Sequence, residues 1–241
     1  MNEAEKYVLT HKFGINRDID TVSVPEDVWE GGGEYPFPSA AGVVVVYSDS
    51  ASDNGTGTGA HGLVLEGLDA NYNVLSETIE LQGTTTVTAV GSYIRTFRAY
   101  VTSAGATEVN EGLITVETDN VTTALIGSAM GQTLMCVYTT PNIDKRDQCY
   151  MLGWSANLPT TTGANAADIR LQARTENGAW RTKDLFSLDA ANRFHAVVYP
   201  EPLAIEPKQD WRVTVDAVSA NNTVVSAIMD FKYANRYRKL S

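Results

Sequence analysis

The chain has 241 residues, 43% of them hydrophobic and 20% charged, with a formal charge of −11, a make-up that argues against whole-chain disorder and leaves room for one large or two modest domains. So acidic a chain argues equally against a phosphate-tracking surface, because nucleic-acid binding draws on clustered Lys and Arg. No stretch reaches the ~18 apolar residues of a membrane span, and the start, MNEAEKYVLTHKFG, has no basic head or apolar run, so a soluble translation product without a secretion signal is expected.

Residues 1–38 read as an extended arm. Its end, VPEDVWEGGGEYPFP, is crowded with glycine and proline, which disfavour regular structure. Tyr7, Phe13, Trp29, Tyr35 and Phe37 stand along it as separate apolar anchors for a partner surface.

From residue 39 onward, apolar and polar residues alternate with period two, Thr and Val are abundant, and helical spacing is nearly absent. The expected fold is all-β: the arm followed by two antiparallel β-sandwich domains, the second like a jelly roll. A first domain, 39–119, is expected to hold strands near 42–48, 61–68, 74–82, 93–103 and 112–118. Within it the glycine-rich SDNGTGTGAHG lacks the Gly-Lys-Ser/Thr ending of a phosphate cradle and reads as a mobile loop.

The next stretch looks briefly like a calcium loop. Asp69, Asn71 and Asn73 occupy alternate positions and Glu80 stands twelfth, but Val74 holds the sixth place, where an EF-hand needs glycine. The flanks alternate as strands, so the segment reads as a hairpin turn held by its own Asp and Asn side chains.

DNVTTALIGSAMG, residues 119–131, reads as the linker or crossover between the domains, with its bounds set at 120–132. A second domain, 133–241, follows, with strands expected near 133–139, 148–158, 167–175, 179–186, 193–199, 211–217 and 224–233, and Asn177-Gly178 as a tight turn. Cys136 and Cys149 flank the loop TTPNIDKRD, where a hairpin would set them opposite each other as reduced, buried thiols. The segment ends in a basic tail that gathers Lys232, Arg236, Arg238 and Lys239 around Tyr233 and Tyr237, for solvent, stacked bases or an acidic neighbouring subunit.

Residues that carry chemistry are sparse. His11, His61 and His195 have no metal-ligand spacing, and no serine sits in a nucleophile elbow. Glu77 with Glu80, or Asp184 with Asp189, are the carboxylate pairs a glycosidase would need, though scattered carboxylates usually face solvent. Trp154 and Trp211 lie on strand faces that look buried. Trp180 with Arg181, just past the tight turn, is the better candidate for a surface contact, including contact with a glycan. No catalytic, metal or cofactor site is assigned.

Four stretches, VPEDVWEGGGEYPFPSAAG, GTGAHGLVLEGLDANYNVLSETIELQGTTTV, SYIRTFRAYVTSAG and GQTLMCVYTTPN, together resemble a group of two-β-domain structural proteins of tailed-phage virions, many from marine phages. The likeness covers most of the chain. It departs after the tyrosine, where the family usually has a proline-glycine turn and this chain has TTPNIDKRDQCY. The resemblance implies a non-enzymatic virion component assembled in the host cytoplasm, a capsid decoration or head-fibre protein whose partners are capsid or tail subunits and further copies of itself. A tail, adaptor or fibre-anchoring protein is the alternative in the same class, and a glycan-binding β-sandwich module the alternative outside it.

Overall fold

The computed structural model describes residues 6–143, 148–159 and 165–235. Every regular element in them is a β-strand and every ladder is antiparallel, as the period-two alternation predicts. In chain order the strands are β1 (Lys6–Ile19), β2 (Glu26–Asp27), β3 (Gly42–Ser48), β4 (Ala60–Leu68), β5 (Val74–Glu80), β6 (Val87–Tyr93), β7 (Arg95–Ala104) and β8 (Ile114–Thr118). They continue with β9 (Val121–Ile126), β10 (Val137–Thr139), β11 (Gln148–Asn157), β12 (Ala167–Arg174), β13 (Arg181–Leu188), β14 (Phe194–Ile205), β15 (Asp210–Val218) and β16 (Thr223–Asn235). The chain forms two compact units, one of Met1–Val28 with Cys136–Ser241 and one of Trp29–Met135.

The first unit has one sheet in the order β1-β16-β11-β14 and a second in the order β10-β15-β12-β13, with β2 also on β15. Within this unit the first strand pairs with the last: β1 with β16, β10 with β15, β11 with β14, β12 with β13. That nesting is one long antiparallel ribbon wound into two sheets, the double Greek key of a jelly roll. Alternation decides which side is buried. Val225, Ala227, Met229 and Phe231 of β16 point inward from one sheet, and Ile169, Leu171, Val213 and Val215 from the other. Tyr138 and Trp211 stack on Phe231 with ring centroids at 4.6 and 6.2 Å, joining the two layers. Each large side chain so buried contributes roughly 1.5–3 kcal/mol.

One strand of the roll is interrupted. Glu26 and Asp27 pair with Val215 and Thr214, and the Val28 N–H donates to the Val213 carbonyl at 2.9 Å. The pairing resumes at Val137 opposite Arg212, after the Val213 N–H has donated to the Cys136 carbonyl. β2 and β10 are therefore two halves of a single edge strand, with residues 29–135 inserted between them. The Cys136 N–H donates to the Val28 carbonyl at 2.8 Å and closes the seam.

The inserted unit has sheets β6-β3-β8-β9 and β5-β4-β7. Val44, Val46, Ile114, Val116 and Ile126 are buried from the first, and Leu63, Leu65, Ile79 and Ala99 from the second. Asp53, fully buried, organises the glycine-rich loop: its carboxylate accepts hydrogen bonds from the Ser48 hydroxyl and from the N–H groups of Ala60, Glu111 and Gly112, at 2.6–2.9 Å. The loop expected to be mobile is thus tied at both ends to β8's approach, because a buried carboxylate left without donors would be costly.

Three expectations about organisation change. The described part of the expected arm 1–38 is not an arm: residues 6–19 form the first strand of the roll, and twelve of them pair with β16. The segment 120–132 is not a linker, since β9 lies in it with Ala124 and Ile126 buried. The domain that was expected to start at residue 133 is discontinuous in sequence, and it takes its first strand from the amino-terminal segment. β6 was not anticipated.

Candidate functional site

The amino-terminal anchors go to different places. Trp29, Tyr35 and Phe37 are 4%, 4% and 7% exposed and pack edge to face, Trp29 on Tyr35 at 5.3 Å and Tyr35 on Phe37 at 4.8 Å. The glycines permit this. The Trp29 indole N–H donates to the Gly33 carbonyl at 3.1 Å, its ring lies where a Gly31 side chain would be, and Gly32 and Gly33 take φ of 65° and 62°. These three aromatics are core of the inserted unit and not a fastening for a partner. Phe13, half-buried, stands opposite Ile228 on the outer face of the β1–β16 pair. Tyr7 is placed only by its backbone, opposite Ala234.

Trp180 is not a free platform either. The guanidinium carbons of Arg174 and Arg212 lie 4.4 and 4.2 Å from its ring centroid. Arg212 continues inward: it donates to Gln172 Oε1 at 3.0 Å and reaches Asp27 Oδ2 at 3.4 Å, while the Thr214 hydroxyl donates to Asp27 Oδ1 at 2.7 Å. Arg174 pairs with Asp210 at 2.9 Å, and Asp210 accepts the Thr139 hydroxyl at 2.6 Å. The outer side of β15 is therefore a satisfied ionic network, built to hold the interrupted strand in place. Arg181 is exposed. Arg236 and Arg238, with the rest of the basic tail beyond Asn235, lie outside the described residues.

Three of the four carboxylates named for hydrolysis are engaged locally. Glu77 accepts from the N–H groups of Val90 and Gly91 and from the Tyr93 hydroxyl, and burial together with that carboxylate pushes the Tyr93 pKa far up. Glu80 stands opposite Gly62 in the β4–β5 ladder. Asp184 accepts the Trp154 indole N–H at 3.1 Å, and Asp189 caps its own turn through Ala191 and Asn192. No group of three metal-ligating side chains stands together among the described residues.

The Asp69 segment is the turn of the β4–β5 hairpin. Asn71 and Asn73 N–H donate to Asp69 Oδ1 at 2.8 and 2.9 Å, and the Asn73 amide donates to Oδ2 at 3.1 Å. Desolvation raises the Asp69 pKa, but these bonds outweigh it and hold the carboxyl below its usual value. The turn's contribution is therefore full above the unfolded carboxyl pKa and is lost as pH falls through the lowered one. EGTA should leave the melting temperature unchanged, since a cation bound only to the native state would raise it. A fall of several degrees, reversed by calcium, would mean that the oxygens hold a cation.

The cysteines do not face each other across a hairpin. Cys136 immediately precedes β10, which belongs to one sheet of the roll, and Cys149 lies on β11 in the other. Burial pushes both thiols up, Cys149 to about 12 and Cys136 further. Both should react with an aromatic disulfide reagent only after unfolding. Fast labelling of either in the native protein would contradict this burial.

One surface open to recognition is the outer face of the β1-β16-β11-β14 sheet with its β14 edge. A groove of about 430 Å³ runs there between Leu9, Leu152, Phe194 and Val198, with His11 and Asp230 joined at 2.6 Å on its rim. Leu9, Phe194 and Val198 are 70%, 62% and 79% exposed. β11 bulges at the groove's floor, and a side chain on Gly153 there would collide with the Val197 carbonyl. The surface is largely apolar, with the His11–Asp230 pair and the hydroxyls of Thr10 and Ser155 in its lining, and it is suited to being covered. Sequence alternation could have found it, because Phe194, Ala196 and Val198 share one face.

No protein-family model matches the sequence, and no curated protein matches it. Among solved structures the chain is similar to the STIV MCP, at 9% identity over 96% of this chain and 99% of that one, with a TM-score of 0.25. It is similar also to the infectious bursal disease virus VP2 subviral particle, at 10% identity over 99% and 78% of the chains with a TM-score of 0.20. A Bacillus thuringiensis Cry1Da tryptic core variant matches at 8% identity over 90% and 53%, also with a TM-score of 0.20. Superpositions this loose carry no statement about role.

Proposed function

We propose that the protein is a non-enzymatic structural component of a tailed-phage virion, built in the host cytoplasm and carried on the capsid exterior as a decoration or head-fibre protein. The observation that carries this reading is the strand order of the first unit, a double-sheet jelly roll of the kind used by viral capsid domains and also by lectins and cupins. That is an analogy of fold, and side chains must narrow it. The thiols are buried with raised pKa values, the carboxylates of Glu77, Asp184 and Asp189 accept hydrogen bonds from neighbouring residues, and Trp180 lies against two arginines. Such an inventory supports a building block over a catalyst or a sugar platform. The sequence resemblance to virion proteins points the same way.

The test is particle composition. Gradient-purified virions should contain the chain at high copy number by mass spectrometry, with its density on the head in cryo-electron microscopy. Density on the tail would favour the adaptor or fibre-anchoring role. Absence from purified particles would overturn the proposal, and specific binding on a glycan array would then favour the lectin-like use of the roll.

A further inference from the structure

Strand β14 is an edge of its sheet, with β11 on one side and, among the described residues, no strand on the other. Its backbone orientation follows from the ladder. Asn157 stands opposite Phe194, and the Leu158 N–H donates to the Arg193 carbonyl at 2.8 Å. Hydrogen-bonded pairs alternate in an antiparallel ladder, so Arg193, His195 and Val197 turn their N–H and C=O groups toward β11, whereas Phe194, Ala196 and Val198 turn theirs outward.

Natural edges are usually blunted by charge, proline or a bulge. Pro200 and Pro202 do this for the later half of β14. The earlier half, Phe194–Tyr199, reads FHAVVY, with no charge from Asp, Glu, Lys or Arg and no proline. We propose that this half-strand is a self-pairing edge, and that two copies of the chain join β14 to β14 about a two-fold axis at Ala196.

The sequence of the edge selects the occupant. Antiparallel pairing centred on Ala196 sets Ala196 against its own copy and Phe194 against Val198 of the second copy, twice over by symmetry. Large, small and large residues thus meet large, small and large. Aromatic beside β-branched is a favoured cross-strand pair, and the small centre leaves room for the ring. All three outward-facing residues fall into hydrogen-bonded pairs in this register. An isologous contact must avoid like charge, which is a demand on a chain of net charge −11, and this run meets it. Arg193 before the run and Glu201 after it bring opposite signs toward each other at both ends. The prolines stop the pairing from running on, which makes a closed dimer and not an open sheet.

The inference does not depend on the virion role. Sedimentation velocity of the full chain across a concentration series should show a monomer–dimer equilibrium. Ala196→Pro removes an N–H that faces outward, so it should keep the melting temperature and weaken the dimer at least ~tenfold through two lost hydrogen bonds. Val198→Lys should weaken it similarly by setting a charge against the second copy's Phe194.

Ala196→Cys reads the register directly. Facing Cα atoms in a hydrogen-bonded pair are about 5.5 Å apart, within disulfide reach. Because Cys136 and Cys149 are buried, mild oxidation should give a covalent dimer through the new thiol alone. A monomer at every concentration, no cross-link from Ala196→Cys, or a dimer that Val198→Lys leaves at full strength would each overturn the pairing, even if Ala196→Pro fails to fold. A monomer found on purified particles would sink the pairing and leave the virion role standing, whereas a dimer absent from particles would do the reverse.

Discussion

Deleting residues 1–19 should abolish cooperative folding of the jelly roll while residues 29–135 keep their own transition. β1 pairs with β16 at twelve positions, which in an antiparallel ladder corresponds to about as many backbone hydrogen bonds, each worth ~1 kcal/mol net. The deletion also removes buried Ile19 and uncovers one side of β16, whose Val225, Met229 and Phe231 are fully buried. Against a total domain stability of ~5–15 kcal/mol, a loss of this size leaves nothing. The strand's position compounds the effect: it is the partner of the last strand, so the ribbon that winds into the roll loses one of its two ends. Far-UV circular dichroism and calorimetry of the truncated chain would decide. A truncated protein that melts as the full chain does would mean that β1 is a dispensable arm after all.

The reason that strand escaped sequence reading is specific. In β1 the face turned into the roll carries Lys12, Gly14 and Asn16, while Leu9, Phe13 and Ile15 lie on the outer side or are half-buried. The alternation is present with its usual meaning reversed, and the partner strand lies more than two hundred residues away. Where the apolar face does point inward, the sequence located strands well: 42–48 coincides with β3, and 167–175 and 211–217 fall on β12 and β15. In the sequence the glycines of the Trp29–Phe37 stretch signal looseness. They make room for the Trp29 ring instead, which is a tertiary fact that composition does not carry. Jelly-roll nesting was expected for the second domain from strand spacing alone, but not that its edge strand is split by 29–135, since nothing local marks a strand whose two halves are so far apart.

That split strand has to be held without the continuity of its own backbone, and the side chains around Asp27 do the holding. Asp27 is fully buried and Arg212 nearly so, and the carboxylate takes the Thr214 hydroxyl on one oxygen and the Arg212 guanidinium on the other. The Asn16 amide donates to the Asp27 carbonyl at 3.2 Å and to Glu26 Oε2 at 2.8 Å, which ties β1 to the same point. Asp27→Ala would leave the Arg212 charge buried without its carboxylate and the Thr214 hydroxyl without its acceptor. Breaking one partner of a buried pair costs about 3–5 kcal/mol, which in a domain of this size lowers the melting temperature by roughly 6–20 °C. Asp27→Asn keeps an acceptor for Thr214 and should cost less. Replacing both partners, Asp27→Leu with Arg212→Met, should recover part of the loss, because no charge is then stranded. Calorimetry of the three variants separates a pinning network from passive burial: if Asp27→Ala melts within about a degree of the unaltered chain, the seam is held by backbone pairing alone.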